Sequence, residues 1–190
     1  MSDLENKNKD VLSHLIEGGR MLLFPSQMKL LTAWVAKTVM AAEFHESNRV
    51  AIPQSDRTYL MEHKKPPELG WNIWIAPYGG PQWAVQMLHY VGHLFSTAPG
   101  EPAVRADGPL NTQMTVITLG HLALYVISSS DEGRTFTMSN ETMSDFRRIW
   151  PLPPRLEVWP QRRWLQKQDL ATIVDSFCTS VGSPPLKLWD

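Results

Sequence analysis

The chain has 190 residues, 43% of them apolar and 19% charged, with a net charge of −1 and one cysteine, Cys178. That length and balance predict one α+β domain spanning 1–190, able to bury about 70% of its unfolded surface. They exclude a disordered chain, a disulfide framework and a cysteine-rich zinc site. No run is apolar enough for a membrane span and the first residues are polar, so the expectation is a cytoplasmic protein with no membrane association.

The first third, 1–65, reads as helical. Leu4, Val11, Leu12, Leu15 and Ile16 share one helical face, and Gly18-Gly19 ends it. Pro25-Ser26 opens a second helix over 27–46, with Ser26 as its cap. Leu31, Trp34 or Val35, Thr38 and Ala42 keep the helical period, and the rest is mostly apolar, which predicts a central helix with Trp34 mostly buried. Lys37 in that helix reads as a snorkelling side chain. A short third helix over 55–64 follows Pro53 and stops at Pro66-Pro67.

Residues 70–160 read as β-rich. Residues 71–75 alternate between Gly70 and the turn Pro77-Tyr78-Gly79-Gly80. Residues 83–95 favour strand over helix. Residues 112–119 and 121–128, rich in Thr, Val, Ile and Tyr, predict one long strand or two, with a bend at Gly120. Residues 100–108 and 129–134 read as loops, 145–150 as a helical turn closed by Pro151, and 156–159 as a short strand. A closing helix within 167–180 turns Leu170, Ile173, Val174 and Phe177 inward. Helices first, then a mostly antiparallel sheet, then one helix is an α+β order.

Charge is unevenly spread. Residues 1–146 hold 11 Lys/Arg against 15 Asp/Glu, and residues 147–190 hold seven against four. Between 147 and 167 lie Arg147, Arg148, Arg155, Arg162, Arg163 and Lys167, with Glu157 the one acid. Trp159 and Trp164 interleave with them. Arginine forks grip phosphate and carboxylate, and tryptophan stacks on bases, so the cluster is a candidate surface for nucleic acid or a protein partner. Its ordinary reading is a solvated face whose arginine stems cover inward tryptophans.

Two further constellations carry chemistry. Trp71, Trp74, Tyr78 and Trp83 can line an aromatic ligand cleft or simply pack the core. His89 and His93, joined in space by His121, are candidate metal ligands. On a strand, however, four residues span roughly 13 Å, too far for one ion.

The phrases Trp34-Val35-Ala36-Lys37-Thr38, Ile149-Trp150-Pro151 and Val158-Trp159-Pro160, with the opening Met1-Ser2-Asp3-Leu4-Glu5, resemble in that order the C-terminal part of small bacterial and phage HNH endonuclease-like proteins. In that family a His/Asn metal segment with paired cysteines precedes a stretch like residues 1–46. This sequence has no Asp-His pair, no Cys-x-x-Cys and no Cys-Asn. HNH chemistry needs a histidine base and a divalent metal, so the resemblance implies a nuclease context and carries over no catalytic residue. The expectation is a non-catalytic binding module, without cofactor, that contacts nucleic acid or a protein partner. One alternative is a hydrolase around His89, His93 and His121, using a divalent metal. Another is a small-ligand or defence-system binding protein that uses the aromatic cleft. A homo-oligomer is compatible with each.

Overall fold

A computed structural model of the chain describes residues 2–46, 50–80, 85–95, 104–105, 108–131 and 145–180. Helix α1 spans Ser2–Ile16 and α2 spans Pro25–Ala42, running on into a 3-10 turn, Glu43–Glu46; α3 spans Gln54–His63. The strands are β1 (Met21–Leu23), β2 (Trp71–Pro77), β3 (Gln86–Gly92), β4 (Leu94–Phe95), β5 (Val104–Arg105), β6 (Thr112–Leu119), β7 (Leu122–Ser129), β8 (Arg147–Trp150) and β9 (Glu157–Trp159). Helix α4, Lys167–Ser180, closes the order, and the architecture is α+β.

Five strands form the main sheet in the order β3-β6-β7-β2-β8, all neighbours antiparallel. Every residue of β2 and β7 is buried, so this sheet is covered on both faces. Side chains alternate along a strand. Trp71, Ile73 and Ile75 of β2, with Leu122, Leu124 and Val126 of β7, therefore meet Leu31, Val35, Val39 and Leu15 of the N-terminal helices in one core. Trp74, Ala76, Ala123, Tyr125 and Ile127 turn the other way and meet Leu170, Ile173, Val174 and Phe177 of α4 in a second.

Local chemistry explains the joints. Leu119 pairs with Leu122, leaving a two-residue turn of Gly120 and His121. Gly120 has φ +56, and a Cβ there would lie 2.6 Å from the Ile16 carbonyl oxygen, so only glycine fits the hairpin beneath the end of α1. The cap of α2 is Phe24, not Ser26: Pro25 supplies the first turn, and Gln27 Oε1 accepts the Phe24 N–H at 3.0 Å. The peptides Trp150-Pro151 and Trp159-Pro160 are both cis.

Several sequence expectations change. Residues 147–150 form an edge strand rather than a helical turn, because β2 offers an open edge with which Arg147, Arg148 and Trp150 pair. Strand β1 was not foreseen; it pairs with β9 to make a separate two-stranded ribbon. Trp34 is half-buried and packs against the first core rather than lying within it. Among the described residues no helix is long and apolar enough to cross a membrane.

Candidate functional site

Trp71, Trp74 and Tyr78 are buried and do not line an open cleft. Trp71 lies in the first core, while Trp74 and Tyr78 lie in the second, on the opposite face of β2. Burial of such large rings is their contribution. The Trp71 indole N–H also donates to Asp56 Oδ2 at 2.7 Å. Trp83 falls outside the described residues.

The three histidines are held apart. His93 sits beyond the end of β3 and its Nδ1 contacts the Pro109 carbonyl. His121 occupies the β6–β7 turn, beside the opposite end of β3, where Nδ1 meets the Tyr78 carbonyl at 3.0 Å and the ring stacks edge-on against Trp164. Among the described residues no group of three His, Cys, Asp or Glu is placed to hold a metal ion.

His89 belongs instead to a polar chain that the sequence reading missed. It stands opposite Thr115 on β6, and Gln113, two residues along the same face, stands opposite Ser128 on β7. Gln113 Nε2 donates to Ser128 Oγ at 3.2 Å, and Thr115 Oγ1 donates to Gln113 Oε1 at 2.6 Å. A hydroxyl has one hydrogen, so Thr115 accepts from His89 Nδ1, 2.7 Å away. His89 Nε2 faces Glu43 Oε1 at 3.7 Å.

Glu43, just past α2, is fully buried. Its carboxylate accepts the Ala51 and Ile52 amides and the Arg57 guanidinium, the last at 2.6 Å. Burial pushes the Glu43 carboxyl up, against the pull of those amides and Arg57. Arg57 also donates to the Met40 carbonyl and lies over the Phe44 ring. The array ties the end of α2, α3 and three strands together and orders this part of the fold. Its signal in the sequence was Gln113 and Thr115 on the same strand face as Ile117 and Leu119.

The basic residues do reach the surface. Arg147, Arg148, Arg155, Arg162, Arg163 and Lys167 are all exposed. Arg163 is committed to a bridge, joining Asp145 before β8 to Asp169 in α4. The two tryptophans among them differ: Trp159 is in the first core and cannot stack on a base, while Trp164 is half-buried with its ring edge-on to His121. Arg155 and Arg162 flank, along the chain, a strand with an exposed apolar face. On the β1–β9 ribbon Leu22 stands opposite Val158, 47% and 61% exposed. Phe24 and Leu156 extend the stripe at 50% and 40%. Met21, Leu23 and Trp159 take the inner side, and alternation sends Glu157 to that side as well. Arg20 and Arg162 adjoin one end of the ribbon and Arg155 the other.

Comparison of the chain with protein-family models, with curated proteins and with solved structures returned no match.

Proposed function

We propose that the chain is a non-catalytic docking module that binds a protein partner on the β1–β9 ribbon. The carrying observation is the exposed cross-strand pair Leu22 and Val158, extended by Phe24 and Leu156 and bounded by arginines. A nucleic-acid backbone is recognised by charge and hydrogen bonds, and exposed apolar side chains gain little from it. Contiguous exposed apolar surface rimmed by polar groups is the mark of protein association. The complementary partner presents apolar side chains flanked by Asp or Glu, so that the rim arginines steer it and fix its register. The resemblance to HNH endonuclease-like proteins supplies a setting for this reading, beside a nuclease rather than as one.

A second reading rests on the exposed Arg147, Arg148, Arg155, Arg162 and Lys167. They support a phosphate-binding face that works by charge, since Trp159 cannot stack. With three to five phosphate contacts its log–log salt slope is about −2 to −4.5.

Fluorescence anisotropy separates the two. The probes are a peptide of alternating Leu and Asp, the same peptide with Lys for Asp, and a DNA duplex. The expected result is binding of the acidic peptide alone, lost in a Leu22→Ser, Val158→Ser double variant that keeps its circular dichroism. Salt-steep binding of the duplex, indifferent to that variant, would refute the docking reading and establish the second. Replacing Arg155 and Arg162 by Glu should weaken either interaction.

A further inference from the structure

On the far side of α2 from the sheet, α1, α2 and α3 enclose a groove of about 350 Å³. Its floor is hydrocarbon: Leu4 from α1, Leu30 and Ala33 from α2, and Leu60 and Met61 from α3. Met61 is among the exposed large apolar residues of the chain, and it adds an uncovered wall. The polar groups that line the groove are Lys7, Lys37, Lys64 and a single acid, Asp3. Three ammonium groups around one apolar groove stand out, because residues 1–146 carry more acid than base.

The present partners of these lysines show the chemistry they accept. Lys7 holds the Asp3 carboxylate at 2.6 Å. Lys37 holds the Glu5 carboxylate, and Lys64 donates to the Met61 carbonyl at the end of α3. Both carboxylates are on exposed side chains, and exposed ion pairs contribute about 0–1 kcal/mol. An incoming anion can therefore take their place at little cost. Small-molecule sites are concave, mostly apolar, of roughly 300–1,000 Å³, with a few polar groups that fix orientation, and this groove has each property.

We infer that the groove binds a single-chain anionic amphiphile: an unbranched hydrocarbon tail over Leu4, Leu30 and Met61, and a carboxylate head among Lys7, Lys37 and Lys64. The occupant is the dissolved monomer rather than a bilayer, since the floor is a recess between helices and not a raised apolar face. Lys37 thus takes a role as head-group ligand in place of simple snorkelling.

The test is calorimetric titration of the full chain with dodecanoate below its micellar concentration. Dodecyltrimethylammonium, which has the same tail and the opposite head, is run beside it, as are vesicles of anionic phospholipid. The expected result is one dodecanoate per chain, with the cationic analogue and a Lys37→Glu variant each about tenfold weaker or more. Because Lys37→Glu faces Glu5 and can disturb the α1–α2 contact, Lys64→Glu on α3 is measured as well and should weaken binding in the same direction. Equal affinity for both head groups, dodecanoate affinity unchanged in both variants, or binding to vesicles without binding of dodecanoate would each overturn the assignment.

Discussion

Glu43 concentrates the polar energetics of this fold at one residue. A fully buried carboxylate is tolerated because two backbone amides and Arg57 surround it. Removing one partner of such a pair leaves the other charge uncompensated, at about 3–5 kcal/mol. Glu43→Gln and Arg57→Met should each lower unfolding free energy in urea by that order. The double variant Glu43→Leu, Arg57→Met should cost clearly less than their sum, because the pair is coupled. Additive losses would mean that the pair is not the organising contact. Asp56 gives a pH signature. Burial raises its carboxyl, as it does that of Glu43, against the Trp71 hydrogen bond. A folded pKa above the unfolded one gives stability that is complete below the unfolded pKa and is lost as pH rises through the folded one. The loss from these two groups therefore begins at about pH 4 and continues upward. Asp56→Asn, which keeps an acceptor for Trp71, should flatten the midpoint-against-pH curve over that window. An unchanged slope would remove Asp56 from the account. The sequence drew attention to His89 through its spacing from His93. Its actual partner Thr115 is 26 positions away, across β3 and β6, and pairing register is not readable from spacing within one strand.

At the scale of elements, what was legible followed periodicity and length. The three long helices and strands β2, β6 and β7 have enough residues for the 3.6 or 2.0 repeat to declare itself. The short pieces do not. Residues 145–150 are followed by Pro151, which closes a helical turn or a strand equally well, and only the open edge of β2 decides between them. Met21–Leu23 is three residues between two helices, and its strand character comes from β9, far along the chain. The same limit extended to the surface: the sequence left Trp159 either stacking on bases or turned inward, and β1 holds β9 so that Trp159 faces the first core. The energetic consequence reverses an expectation built on the central helix. Trp34 is half-buried, whereas Trp159 is 1% exposed. Trp159→Ala should cost about 3–5 kcal/mol, as for other fully buried large aromatics, and Trp34→Ala well under that. Urea midpoints that rank the two in the opposite order would show that the ribbon is peripheral.

The whole molecule is organised by one sheet with two cores. β2 and β7 each send alternate side chains to opposite faces, so Ile73 and Val126 belong to the α1–α3 side while Trp74, Tyr125 and Ile127 belong to the α4 side. Neither core can lose its floor without dismantling the strands that form the floor of the other. The two should therefore melt as one unit, although their side chains form separate clusters. Val126→Ala perturbs the first core and Ile173→Ala the second; both residues are fully buried. Each truncation should cost about 1–4 kcal/mol, within the range for buried aliphatic residues. In each variant the far-ultraviolet circular dichroism and tryptophan fluorescence transitions should still coincide, which is the signature of a two-state change. The two losses should add within about 0.5 kcal/mol in the double variant, because the sites face away from each other across the sheet. A fluorescence transition that separates from the dichroism transition in Ile173→Ala alone would mean that α4 detaches while the sheet and the N-terminal helices remain folded. The sheet would then be a platform carrying a removable helix rather than the shared floor of a single cooperative structure.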